Sequence, residues 1–111
     1  MTEIIDRSVL TALSDSVGED FVGELIDTFL EEAPGMFLEM QQALAAGDVD
    51  SFRRAAHSLK SNANTFGATE LAEQAKELEY MVRENDLDIG DRLKSLDATY
   101  ENAAEELRLL K

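Results

Sequence analysis

Residues 48–68 read DVDSFRRAAHSLKSNANTFGA, and their apolar spacing decides the fold. Phe52, Ala55, Ala56, Leu59, Ala63 and Phe66 recur at the period of a helix that buries one face. The spacing predicts a helix from Asp48 or Val49 to about Thr65, with Gly67 as its stop. With Phe52 set at zero on a wheel of about 100° per residue, the apolar positions cluster within about 60° of it. On the same wheel Lys60 falls at ~80°, Arg53 at ~100°, Asn64 at ~120°, His57 at ~140° and Ser61 at ~180°. The one histidine of the chain therefore lies off the core stripe, among cations and small polar groups.

The charge pattern marks the same stretch. The chain has 24 acidic and 10 basic residues among 111, a formal net charge of −14. Yet no acid occurs from Ser51 to Thr69, where Arg53, Arg54 and Lys60 lie. A locally cationic segment in an anionic chain suits an anionic group or partner. The overall charge repels phosphate backbones and anionic lipid, so neither nucleic acid nor a membrane is an expected partner.

Helical spacing continues on both sides. A short N-terminal helix is expected to start at Asp6 as N-cap and to bury Val9, Leu10, Leu13 and Val17. A long second helix carries Phe21, Val22, Leu25, Ile26, Phe29, Ala33, Phe37, Met40 and Leu44 along one stripe. Pro34 lies within it and predicts a kink or a break, since proline has no amide proton and clashes with the carbonyl of Leu30. A fourth helix is expected from about Thr69 to Glu84, burying Leu71, Ala75, Leu78 and Val82. Asn85 to Gly90 reads as a loop. A fifth helix from about Asp91 to Leu110 is expected to bury Leu93, Leu96, Tyr100, Ala103, Leu107 and Leu110. Short connections make neighbouring helices antiparallel. The fold class is all-α: an antiparallel up-down four-helix bundle with a short extra N-terminal helix, one domain over residues 1–111.

A hairpin reversing at Gly67-Ala68 places His57, eleven before Ala68, level with Glu79, eleven after it. A carboxylate there can accept from the imidazole Nδ1–H, which fixes the tautomer and leaves Nε2 as a free nucleophile. Lys60 at i+3 and Arg53 at i−4 are within helix-neighbour reach of a phosphoryl group on that ring.

The run from Ala56 to Ala68, with Leu71 and the Leu78-Glu79 pair, resembles the signature of histidine-containing phosphotransfer (HPt) domains: alanine-histidine, lysine three residues after the histidine, glycine ten after it. The order of helices and the proline in the second are also similar to that family. The resemblance implies a monomeric bundle that carries a phosphoryl group on His57, to or from the aspartate of a response-regulator receiver domain in a multistep phosphorelay. It implies Lys60 as phosphoryl-stabilising residue, Glu79 as the group orienting the imidazole, and an upstream, often hybrid, histidine kinase. Arg53, Arg54, Ser61, Asn64 and Gly67 are expected partner contacts. Ser61 departs from the glycine usual at that position, and its small size keeps docking open. No cofactor of its own is expected; Mg²⁺ belongs to the receiver.

Other readings are weaker. An acidic helical adaptor without phosphotransfer has no use for a histidine, lysine and glutamate so placed. Asp86, Asp88 and Asp91 do not make a calcium loop, because Gly90 stands where a third ligand is needed. The chain has no cysteine, which excludes disulfides, thiolate metal sites and a cysteine nucleophile. Its glycines are isolated, so no nucleotide loop is present and the chain is expected to be a phosphocarrier rather than an enzyme. The longest apolar run, Ala43 to Ala46, is too short to cross a membrane. Met1 to Asp6 lacks the basic and apolar regions of a signal peptide, so a cytoplasmic location is expected.

Overall fold

The computed structural model describes residues 4–84 and 87–110. Met1, Thr2 and Glu3, and Asn85 and Asp86 of the expected loop, lie outside the described residues. Five helices follow in order: α1 (Arg7–Val17), α2 (Glu19–Ala46), α3 (Val49–Thr65), α4 (Thr69–Arg83) and α5 (Arg92–Leu110). The four long helices form a closed ring in which α2 meets α3, α3 meets α4, α4 meets α5, and α5 returns to α2. Helix α1 lies across α2 and α3. The longest extent of the molecule, 41 Å, is close to the length of α2, whose 28 residues span about 42 Å at about 1.5 Å per residue.

Helix α3 is the centre of this arrangement, and its composition explains why. Phe52, Ala55, Ala56, Leu59 and Ala63 are buried, and the three alanines let α2 and α4 approach closely. The α3–α4 pair is the most extensive of the bundle. The ends of α3 are set locally. Asp48 is the N-cap, its side chain accepting from the Ser51 N–H at 3.1 Å and from Ser51 Oγ at 2.7 Å. At the other end Gly67 takes φ +74°, with Ala68 N donating to Ala63 O and Gly67 N to Asn64 O. That pair of bonds is a Schellman motif, and it turns the chain directly into α4.

An aromatic row runs through the core. Phe29 stacks on Phe66 at 5.4 Å, meets Tyr100 edge-on at 5.9 Å, and Tyr100 leans on Phe37 at 5.3 Å. These rings tie the end of α3 to α2 and α5. Burial, then the neighbouring charge of Glu101, pushes the Tyr100 hydroxyl pKa above its ordinary value.

Four expectations need correction. Of the kink or break expected at Pro34, the break does not occur: α2 is continuous from Glu19 to Ala46. A proline costs about 3 kcal/mol in a helix interior, whereas burying one Phe contributes roughly 1.5–3 kcal/mol. Phe29 and Phe37, on either side of Pro34, are both buried and hold the helix through it. Val9 and Val17 of α1 are exposed, because α1 lies on the bundle surface; its Leu10 and Leu13 pack against the core. Phe21 is exposed as well, on the first turn of α2. Gly67, expected at a partner surface, is buried beneath the N-terminal segment. Asp6 N donates to Gly67 O at 2.7 Å, and a Cβ on Gly67 would stand 2.6 Å from Asp6 O.

Candidate functional site

His57 stands near the middle of α3 with its side chain 57% exposed. Glu79, one turn before the end of α4, is buried. The hairpin register brings them together: His57 Nδ1 and Glu79 Oε1 are 3.0 Å apart. Lys60, one turn after His57 on the same face, donates from Nζ to Glu79 Oε2 at 2.7 Å. The carboxylate thus uses one oxygen for the imidazole and the other for the ammonium. Arg83, one turn after Glu79, places Nη2 3.9 Å from the oxygen that meets His57.

Burial pushes the Glu79 carboxyl pKa up. Hydrogen bonds from Lys60 and His57, with their charges, more than offset this and hold it below its ordinary value. Glu79 is therefore ionised at neutral pH, and an ionised carboxylate only accepts. A neutral His57 must then carry its proton on Nδ1, which leaves the lone pair on Nε2. The structure thus holds an exposed imidazole whose free nitrogen is the one turned away from Glu79.

The remaining expected site residues fall around this triad without joining it. Arg53 is partly exposed and leans toward Asp50 at 3.9 Å. Arg54 turns the other way, with Nη2 on Ser51 Oγ at 3.3 Å. Ser61 and Asn64 are exposed on the same helix. Two features go beyond the sequence reading. The Lys60–Glu79 bond is one, because the spacing alone offers Lys60 to a phosphoryl group and not to the carboxylate. Arg83 is the other, although its i+4 spacing from Glu79 is the usual signal for a helix ion pair.

The Hpt domain family matches residues 24–108, which include every residue of the triad. The chain belongs to the Hpt domain family. Curated relatives include the phosphorelay protein LuxU of Vibrio harveyi, 28% identical over 86 residues that cover 78% of this chain and 75% of the relative. LuxU of Vibrio cholerae is 29% identical over 87 residues, covering 78% of this chain and 77% of the relative. The crystal structure of histidine-containing phosphotransfer protein B of Pseudomonas aeruginosa PAO1 superimposes with a TM-score of 0.79 at 32% identity, covering 99% of this chain and 92% of that one. The function that goes with this Hpt membership is histidine phosphotransfer in a phosphorelay, in exchange with response regulators and kinases. The Hpt fold is all-helical here, and among the described residues no helix is long and apolar enough to cross a membrane.

Proposed function

We propose that His57 is the phosphoacceptor and that Glu79 and Lys60 make it one. The observation that carries this is the 3.0 Å contact between His57 Nδ1 and a buried carboxylate, with the ring otherwise open to a partner. In the forward step the Nε2 lone pair attacks the phosphorus of an aspartyl phosphate on the receiver domain. The Nε2–P bond forms, the P–O bond to the aspartate breaks, and the aspartate leaves as a carboxylate. The ring keeps its Nδ1 proton and so gains positive charge, which the Glu79 carboxylate balances at hydrogen-bond distance. The reverse step returns the electron pair to Nε2. Lys60 serves the phosphoryl oxygens as a compact, mobile cation, released from Glu79 Oε2 as the dianion arrives. Phosphoryl transfer needs mostly positioning and charge neutralisation, and three side chains supply both.

The receiver brings the aspartyl phosphate and its Mg²⁺; this chain brings the nucleophile and works as a carrier, without a catalytic activity of its own. One copy holds the complete triad, which supports a monomer, and residues 1–111 act as one domain. Its place is the cytoplasm, where an exposed phosphohistidine meets kinase and receiver.

The test is transfer from a panel of Asp-phosphorylated receiver domains with Mg²⁺. The wild-type chain is expected to gain acid-labile, base-stable phosphate, and His57→Gln none. Label that persists on His57→Gln would move the site elsewhere. An acidic adaptor function would survive His57→Gln unchanged.

A further inference from the structure

Ser61 stands four residues after His57, at the position where the Hpt signature usually has glycine. Both residues are exposed, and both lie within α3. Side chains four apart on a helix are neighbours, with Cβ atoms about 5–6 Å apart. They tilt toward the helix N-terminus, so Ser61 leans over the turn that carries His57. On the α3 wheel His57 at ~140° falls between Lys60 at ~80° and Ser61 at ~180°. A phosphoryl group on Nε2 therefore has an ammonium on one flank and a hydroxyl on the other. Arg54, at ~200° on the second flank, is turned to Ser51 Oγ at 3.3 Å. The Ser61 hydroxyl is also uncommitted. Thr28, Thr65 and Thr99 donate theirs to the carbonyl four residues back, at 3.0, 3.0 and 3.1 Å. The equivalent acceptor for Ser61 is the His57 carbonyl, yet among the described residues no hydrogen bond engages Ser61 Oγ.

We infer that the Ser61 hydroxyl is a phosphoryl contact: once His57 is phosphorylated, it donates a hydrogen bond to a phosphoryl oxygen, which a glycine side chain cannot do. This rests on the phosphotransfer reading and adds a residue to it. No covalent bond changes in this contact and no proton is transferred; the hydroxyl keeps its hydrogen and offers it to an anion. A serine hydroxyl carries one donor and rotates to suit its acceptor. A hydrogen bond to an ionised acceptor is shorter and stronger than one between neutral groups. In the unphosphorylated structure Ser61 Oγ makes no bond to the ring, so the contact arises with the phosphoryl group and ends with it. It therefore stabilises the phosphorylated chain relative to the phosphorylated receiver, and acts on the transfer equilibrium rather than on the fold. Serine in place of glycine sets how firmly this carrier retains its phosphoryl group.

The experiment measures the equilibrium constant for phosphoryl exchange with Asp-phosphorylated receiver domains and Mg²⁺, together with the forward and return rates. Ser61→Ala removes the hydroxyl and keeps Cβ; Ser61→Gly removes both. Ser58→Ala makes the same deletion at an exposed serine next to His57, at ~240° on the wheel and so away from Lys60. Ser61→Ala is expected to shift the equilibrium about tenfold toward the phosphorylated receiver, chiefly through a faster return step, as the loss of one hydrogen bond to a charged group implies. Ser61→Gly should shift it alike, and Ser58→Ala by less than about twofold. Melting temperatures separate this from a structural role: alanine favours the helix and glycine disfavours it, so the two Ser61 variants should move in opposite directions in stability while agreeing in equilibrium. An equilibrium constant unchanged in Ser61→Ala would overturn the contact, as would an equal shift in Ser58→Ala or a shift in Ser61→Gly alone. Forward and return rates that rise by the same factor in Ser61→Ala would make Ser61 an obstacle to the receiver and overturn it too. In each of these outcomes His57 labelling stands. A wild-type chain that accepts no label from any receiver would overturn the phosphotransfer reading and the Ser61 contact together.

Discussion

At the scale of single residues, Glu79 carries two duties that a neutral amide would split. It accepts from His57 and from Lys60 and stays ionised while buried. Its folded-state pKa lies below the ordinary 4.5, so its contribution to stability is present above that value and is lost as pH falls through the folded pKa. Glu79→Gln keeps the shape and removes the charge. At pH 7 the variant is expected to be less stable than wild type by about 1 kcal/mol, since both bonds are charge-assisted and Lys60 is partly solvated. As pH falls below 4.5 and through the folded-state pKa the two proteins should converge, because the wild-type carboxyl then becomes protonated in the folded state as well. Urea midpoints from pH 7 to 3 read this directly; a gap that does not shrink below pH 4.5 would mean that the loss does not come from the ionised carboxylate. The variant also lets either imidazole tautomer form, so phosphotransfer should fall along with the loss of the pH-linked stability.

At the scale of elements, the contrast between two glycines shows what local signals reveal and what they do not. Gly47 and Gly67 both end helices with positive φ, +70° and +74°. Nothing lies within 4 Å of a Cβ built on Gly47, whereas one on Gly67 meets the Asp6 carbonyl oxygen at 2.6 Å and Val9 Cβ at 3.2 Å. Gly47→Ala should cost about 1–2 kcal/mol, the penalty of left-handed backbone for a residue with a side chain. Gly67→Ala adds an overpacking cost of about 1–3 kcal/mol and loosens α1. Thermal melts measure the difference, and amide exchange of α1 locates it: protection of α1 should drop in Gly67→Ala and hold in Gly47→Ala. Equal losses in both variants would show that the Asp6–Gly67 contact contributes nothing. The sequence could show that Gly67 stops a helix, because the stop is made by its immediate neighbours. It could not show that Asp6, sixty-one positions earlier, rests on it. The same division holds elsewhere. Asp6 is legible as an N-cap because a cap is a contact within three residues. The continuity of α2 through Pro34 is not, because it is decided by where Phe29 and Phe37 are buried. The His57–Glu79 pair is legible only because one hairpin turn fixes their register, while the bond from Lys60 depends on which way a long side chain folds.

At the scale of the whole molecule, the charge opposes the fold while it favours the site. Acids dominate the outer faces of α2, α4 and α5, and among the described residues the ion pairs Arg53–Asp50 and Arg92–Glu77 are long and solvent-exposed. Exposed pairs of that kind contribute roughly 0–1 kcal/mol each, so they do not cancel the self-repulsion of a chain at −14. Screening therefore should help folding. The Debye length shortens from about 30 Å at 0.01 M to roughly 4–5 Å at 0.5 M salt, less than the spacing of most surface charges. Raising NaCl across that range at pH 7 is expected to lift the melting temperature by on the order of 5 °C, the shift that about 1 kcal/mol produces in a domain of this size. A melting temperature that fell with salt would mean that the exposed pairs outweigh the repulsion. The sign matters for function, because the same salt that stabilises the bundle should weaken the attraction between the cationic stretch of α3 around His57 and an anionic partner group. Stability and transfer rate moving in opposite directions along one salt series would locate the useful charge of this protein at the site and the costly charge everywhere else.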